Sequence, residues 1–416
     1  MYTRIYSFFD FNKLLSSNQF GFVKGKGIEQ AALTLLSDLY NSESNKLNTS
    51  AAFLDYSKAF DTVDHDILLQ KLEKYGIRGQ SLELLKSYFQ DRKQYVSLNN
   101  TVSQYNIIRT GVPQGSCLGP LFFIIYINDI VASLKNLENI KIILFADDIV
   151  IYISSPSIEL NCNILNEYLD IIYRWSCANK LILNPHKSKV IHFFNSAQLS
   201  THPSIMINSD IIEEVNNIKY LGLTIQSNLK FNIHIKNVVS NISRCTGILY
   251  ALKPYFPSDC LRKLYYAFLY PHLTLHILAW GSSRPNVLES VLVAQNRAVR
   301  NLKVSSSASE TYNKLNLLRF NNIYKLFLAA FMYNQTKSNG IFFDLVNNFQ
   351  WSHSHNTRRT QQFRIPLTNT ISSEGFWLSK GISHWNSIPN DFKDLASTSI
   401  FKKRYREHLL SIQRLD

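Results

Sequence analysis

Apolar positions follow two regimes along the chain. Up to about residue 228, short β-rich runs alternate with stretches of helical spacing, and beyond it the pattern is mostly helical, with breaks at Pro254, Pro257 and Pro271. Residues 28–40 carry apolar side chains at helical spacing behind Gly25 and Gly27 and predict a helix. Residues 51–54 form a short apolar run ending in Asp55, as expected of a buried strand with a carboxylate at its tip. Residues 66–74 and 81–89 read as amphipathic helices separated by Gly76 and Gly79. The runs 94–98 and 104–109 flank Asn99-Asn100 as a strand pair, and Gly119-Pro120 opens an apolar helix reaching residue 131. Residues 141–146 and 149–153 are β-rich and separated only by Asp147 and Asp148, the spacing of a tight hairpin. A helix over 161–178 and strands over 189–194 and 219–225 complete the mixed half. The expected class is α+β in front and largely α behind.

The longest apolar stretch, residues 264–280, includes Pro271, His272 and His276 and falls short of the roughly 20 apolar residues that span a bilayer. It predicts a buried or partly buried helix. With Arg4 and Asp10 interrupting the N-terminus, no signal peptide is read, so a soluble intracellular protein is expected. At 416 residues, 45% hydrophobic and 13% aromatic, the chain has material for two or three lobes, which excludes a disordered tail protein. Its five cysteines show neither zinc-ligand spacing nor a disulfide framework.

Charge changes the picture once it is located. The net charge of +14 is absent from residues 1–150, which hold 15 Lys and Arg against 15 Asp and Glu, while residues 226–416 hold 24 against 9. A neutral lobe bearing reactive carboxylates, followed by a lobe that grips a polyanion, fits this split; added solubility is its plainer use.

The adjacent carboxylates of Asp147 and Asp148 repel each other at a strand-flanked tip, a repulsion that hard divalent cations would relieve. Asp55, on a separate strand, would complete a cluster able to hold two metals for phosphoryl transfer. Phe60 lies where a ring would meet a substrate sugar, although a core aromatic is the ordinary reading. The segment Gly111-Val112-Pro113-Gln114-Gly115-Ser116 would let backbone approach a substrate, with the Gln114 amide as donor.

Together, LDYSKAFDTVDHDIL, GVPQGSCLGPLFFIIYINDI and LFADD resemble, in order and spacing, the palm motifs of reverse transcriptases. Their wording is similar to non-LTR (LINE-type) retrotransposons, jockey-like elements above all. NQFGF (residues 18–22) resembles the fingers motif, LNPHKSK (183–189) the lysine-bearing motif and KYLGLTIQSNLKFNIHI (219–235) the primer-grip region. The core likeness covers roughly residues 14–235 and continues more weakly through NTRRTQQFRIP (356–366) and HWNSIPNDFK (384–393).

The resemblance implies a right-hand polymerase: partial fingers over 1–50, palm with an inserted fingers segment over 51–226, helical thumb over 227–335 and a basic extension over 336–416. It implies RNA-directed DNA polymerase activity. Asp55 and Asp147 would be principal ligands of two Mg²⁺ ions (Mn²⁺ being the alternative), joined by Asp148. Phe60 would be a steric gate excluding a ribose 2′-hydroxyl; Gln114 and Gly115 would contact the incoming nucleotide or the templating base. Lys187 would assist the leaving pyrophosphate, and Tyr220, Leu221 and Gly222 would form the turn holding the primer 3′ end. An RNA template, a DNA primer or target and deoxynucleoside triphosphates are the implied partners, with no membrane. The implied location is the nucleus, with a cytoplasmic ribonucleoprotein as the alternative.

Val23 stands where jockey-like relatives have Arg, so a triphosphate-binding cation is expected to be displaced to Lys24 or lost. Relatives carry further fingers segments and an endonuclease upstream, so the chain reads as the C-terminal portion of a longer protein or a truncated copy. A catalytically impaired, element-derived nucleic-acid-binding protein and a metal-dependent phosphodiesterase are the competing functions. His65 is expected at a helix start or the surface, His272 and His276 in structural roles, and Trp351, Trp377 and Trp385 in packing. The run Lys402, Lys403, Arg404 and Arg406 stays open between a nuclear-import signal, nucleic-acid contact and solvation.

Overall fold

A computed structural model describes residues 1–134, 140–193, 202–337, 341–347, 363–365 and 377–415. They form two compact units, Met1–Ala31 with Lys46–Asn216, and Ala32–Asn45 with Asn217–Asp416.

The first unit is organised by a five-stranded sheet in the order Glu213–Glu214, Lys189–Phe193, Asn48–Leu54, Asp148–Ser155, Ile140–Phe145. All neighbours are antiparallel except the short edge strand Glu213–Glu214, which runs parallel to Lys189–Phe193. Strand periodicity puts Ala52, Leu54, Ile149, Ile151, Ile153 and Val190 into one apolar cluster with the helices Gly119–Ile127 and Ile158–Ala178. Residues 121–127 are enclosed on every side, which explains an apolar run without an amphipathic stripe. Each such side chain contributes roughly 1.5–3 kcal/mol by leaving water.

Capping sets two helix starts. Asp64 Oδ1 accepts the Ile67 N–H at 3.0 Å ahead of His65–Lys74, and Ser157 Oγ accepts the Leu160 N–H ahead of Ile158–Ala178, three residues before the predicted start at 161. The helix Tyr2–Phe11 was not predicted by the apolar pattern. The 94–109 pair forms two short ladders, Lys93–Gln94 with Asn106–Ile107 and Ser97–Leu98 with Thr101–Val102. Asn99 and Asn100 both adopt positive φ between the inner strands, as a two-residue hairpin turn requires.

In the second unit, the predicted strand over 219–225 is instead a hairpin, Asn217–Tyr220 with Leu223–Gln226, turning at Leu221-Gly222. Helix Asn232–Leu252 packs on Pro285–Val299, and Phe320–Lys337 packs on Trp377–Ser387 and Thr398–Gln413. The 264–280 stretch is buried in part as expected but is not one helix. A π-turn at Tyr265–Leu269 leads into Tyr270–Thr274, and His276 at φ 52° separates these from Ile277–Trp280. Trp377 and Trp385 are buried packing residues; Trp351 and most of 356–366 lie outside the described residues. No helix among the described residues is long and apolar enough to cross a membrane.

Candidate active site

The hairpin turn sits one residue earlier than its sequence suggests. Phe145 pairs with Asp148, leaving Ala146 and Asp147 as the two-residue loop and Asp148 as the first residue of the return strand. The physical reason is Ala146, whose φ of 54° supplies the positive-φ corner that a tight hairpin needs. For a residue with a Cβ this costs about 1–2 kcal/mol, so other contacts must hold it. NQFGF provides them. Leu144 exchanges backbone hydrogen bonds with Asn18 and Phe20, at 2.9 and 2.8 Å. The buried Gln19 Oε1 accepts the N–H groups of Gly21 at 2.8 Å and Ala146 at 3.1 Å. Gly21 passes so near the turn that a Cβ there would lie 2.5 Å from the Ala146 nitrogen.

Asp55 follows directly on Leu54, which pairs with Ile149, so Asp55 leaves the sheet beside Asp148. Its backbone is fixed from the LNPHKSK segment: the Asp55 N–H donates to Ser188 Oγ at 3.2 Å, and the Asn184 N–H donates to Asp55 O at 2.8 Å. Asp55 Oδ2 is buried and has no hydrogen-bond partner among the described residues. Burial, with the Asp55 charge added, raises the Asp147 carboxyl above its ordinary value. Burial and then the charges of Asp147 and Asp55 push Asp148 up to about 6. Three mutually repelling carboxylates, one with an orphaned buried oxygen, are a donor set that fits hard divalent cations.

Apart from Lys24, the remaining predicted residues of this unit fall on two supports. Lys187 is exposed on the Asn184–Ser188 loop that anchors Asp55, its own N–H donating to Asn184 Oδ1 at 3.2 Å. Phe60 is half-buried, stacked on Phe123 with centroids 4.4 Å apart and planes 20° apart. Its carbonyl accepts the Val112 N–H at 2.9 Å, and Val63 O accepts the Gly111 N–H at 2.7 Å, so the Phe60 segment and the GVPQGS loop are one paired structure. His65 reinforces the pairing: it starts a helix as expected but is buried, donating from Nε2 to Gly111 O at 2.7 Å. Gln114 is exposed, its Nε2 donating to Asp61 Oδ1 at 2.9 Å, with Gly115 exposed beside it. Lys24 is exposed and its backbone N–H donates to the Tyr6 hydroxyl. Lys26 is committed elsewhere, bonded to the carbonyls of Ser17 and Gln19 and lying over the Phe20 ring.

Tyr220, Leu221 and Gly222 belong to the second unit. Leu221 and Gly222 both have positive φ, and His276 Nε2 donates to Leu221 O at 2.8 Å, which gives His276 its structural role. The turn borders a cleft of about 390 Å³ lined by Lys219, Gly222, Asn237, Asn241, Arg244 and His272, a basic and amide-rich wall.

Sequence reasoning passed over Gln19, Asp61, Asn184 and Ser188, which position the turn, Gln114 and Asp55. Their signal was present only as membership of the quoted motifs, because each acts through a partner distant in sequence.

A sheet that presents two carboxylates on one hairpin and a third on the neighbouring strand defines the palm of a right-hand, α+β polymerase, here followed by a helical region. A profile of the reverse transcriptase (RNA-dependent DNA polymerase) family matches residues 1–225, more than half of the chain, and the chain belongs to that family. It is 28% identical over 304 residues to the probable RNA-directed DNA polymerase from transposon BS of Drosophila melanogaster, covering 69% of this chain and 32% of that protein. It is 27% identical over 301 residues to the RNA-directed DNA polymerase from mobile element jockey of the same species, covering 70% and 32%. The chain thus spans about a third of the length of these relatives, whose kind is that of the non-LTR mobile elements its motifs resemble. Among solved structures, telomerase from Candida albicans in complex with a TWJ fragment of telomeric RNA aligns at 13% identity and a TM-score of 0.42, covering 76% of this chain and 58% of its own.

Proposed function

We propose that this chain carries the RNA-directed DNA polymerase activity of a mobile element, extending a primer 3′ end with deoxynucleotides on an RNA template. The carrying observation is the carboxylate trio with the orphaned Asp55 Oδ2, within a sheet whose sequence belongs to the reverse transcriptase family. Asp55 and Asp147 would hold two Mg²⁺ ions, with Asp148 sharing their charge; when bound, such ions neutralise triphosphate oxygens and favour the ionised primer hydroxyl.

The chain's own residues do the rest. Phe60, fixed by its stack on Phe123, blocks the position of a ribose 2′-hydroxyl. Gln114, released from Asp61, presents its amide to the nucleotide, and Gly115 lets the backbone come close. Lys24 offers a cation to the triphosphate in place of the arginine that Val23 displaces. Lys187 supplies positive charge, or a proton, to the departing pyrophosphate. Tyr220, Leu221 and Gly222 hold the primer terminus, and the basic cleft beside them takes its phosphates. In domain terms the first unit is palm with fingers segments and the second is thumb with a basic extension, working with RNA and DNA in the nucleus and with an endonuclease encoded upstream.

The test is primer extension on an RNA template with Mg²⁺ and deoxynucleotides, set beside Asp147→Ala. Extension abolished by the substitution supports the reading; extension unaffected by it overturns the site.

A further inference from the structure

A second group of metal-ligating side chains lies at the other end of the strand that leads to Asp55. Cys162 in the helix Ile158–Ala178, His192 in the strand Lys189–Phe193 and His202 in the following segment bring ligand atoms within 4.8 Å of one another. The strand Asn48–Leu54 separates this group from the carboxylates: His192 pairs with Ser50, five residues before Asp55, or roughly 16 Å of extended chain.

Two of the three side chains lie inside the fold. Cys162 is fully buried and His192 is 3% exposed. Cys162 Sγ lies 3.7 Å from His202 Nδ1, and the two imidazole rings meet edge to face with centroids 4.7 Å apart. Glu214, exposed on the edge strand, borders the group, with Oε1 3.7 Å from His192 Nε2 and Oε2 3.6 Å from His202 Nε2. Those two separations are too long for hydrogen bonds. The edges of a tetrahedron about a zinc ion run to roughly 3.3–3.6 Å for Zn–N near 2.0 Å and Zn–S near 2.3 Å, so an ion would draw the 4.8 Å spread of the three ligands inward, with His202 offering it one of its two nitrogens.

The surroundings prepare the same arrangement. Ser50 Oγ is 2.7 Å from His192 Nδ1 and is itself fully buried. With Nδ1–H donating to Ser50, the lone pair of His192 is placed on Nε2, the nitrogen that faces Glu214. This is how ligating histidines are commonly oriented. A thiol, two imidazoles and one carboxylate together select zinc over the magnesium that carboxylates alone would hold. The four residues come from a helix, an inner strand, a connecting segment and an edge strand, so one ion would fasten all four.

We infer that Cys162, His192 and His202, with Glu214 turning inward as the fourth ligand, bind one structural zinc ion that staples the edge of the sheet to the helix Ile158–Ala178. The site needs no open coordination position and takes no part in nucleotide addition.

Cobalt substitution of the full chain tests this, because a cobalt–thiolate bond gives a charge-transfer absorption that carboxylates cannot. Metal-stripped protein loaded with Co²⁺ should show that band at about one equivalent and lose it on adding Zn²⁺. Cys162→Ser should abolish the band, whereas Asp147→Ala should leave it intact. Ser50→Ala, which alters no ligand, should weaken zinc binding by about 10- to 100-fold. His202→Ala, at a half-buried position, provides a second ligand deletion judged for folding by circular dichroism. Zinc should raise the melting temperature of the parent chain and not that of folded His202→Ala. No thiolate band in the parent chain, a band surviving in Cys162→Ser, or zinc stabilisation surviving in His202→Ala would each overturn the site.

Discussion

Gln19 Oε1 accepts the N–H of Ala146 across 127 residues of sequence, and this single acceptor braces the strained residue that aims Asp147. The same oxygen takes the Gly21 N–H, so truncation strands two buried donors at once. Gln19→Ala should therefore lower stability by about 1–3 kcal/mol in urea unfolding. Polymerase turnover should fall further than stability explains, by about 10- to 100-fold, because the carboxylate geometry loosens. Unchanged turnover in folded Gln19→Ala would mean that the turn holds itself.

Asp148 sets a pH dependence whose sign follows from its raised carboxyl. Burial and the charges of Asp147 and Asp55 move it from the ordinary 3.8 up to about 6, so the folded chain binds this proton more tightly than the unfolded chain. Without divalent ions, its contribution favours folding below about pH 4 and is lost as pH rises through about 6. Asp148→Asn should accordingly stabilise the metal-free chain at pH 7 and give no gain at pH 3.5, measured by thermal melts across that range. Divalent ions should narrow the pH 7 difference, since they relieve the same repulsion.

The Phe60 ring predicts sugar selection. Phe60→Val removes the stack on Phe123, costing about 1 kcal/mol, and opens the space a 2′-hydroxyl would need. The preference for deoxynucleotides over ribonucleotides, as the ratio of their kcat/KM values, should fall by about tenfold or more. Phe60→Tyr keeps the ring and should keep the preference. Equal preference in Phe60→Val and the parent chain would return this ring to a packing role.

Much of this site was legible because its chemistry is local: Asp55 ends an apolar strand, and Asp147 and Asp148 interrupt a β-rich pair. What escaped depends on partners far along the chain. Alanine is a poor turn residue by itself, so nothing near Ala146 announces its positive φ; the brace comes from Gln19. Cys162, His192, His202 and Glu214 are 30, 10 and 12 residues apart, a spacing that matches no compact ligand motif, and only strand pairing brings them together. The hairpin at 217–226 looked like one strand because Leu221 resembles a strand residue, while His276 secures the turn from a segment whose apolar character suggested a continuous helix.

The cleft beside that hairpin allows the proposed grip on nucleic acid to be measured as a salt slope. Lys219 and Arg244 stand on its wall with Asn237 and Asn241, and Arg244 lies in the part of the chain that holds the basic excess. A phosphate bound by each would release condensed counterions, making affinity fall linearly with salt on logarithmic axes at about 0.7–0.9 per contact. Lys219→Gln with Arg244→Gln should then weaken primer–template binding at low salt and reduce the slope by about 1.4–1.8. Because phosphate contacts carry no sequence information, the loss should be the same for unrelated primer sequences. A slope unchanged by the double substitution would move the grip away from this cleft and leave the Leu221-Gly222 turn without its phosphate-binding wall.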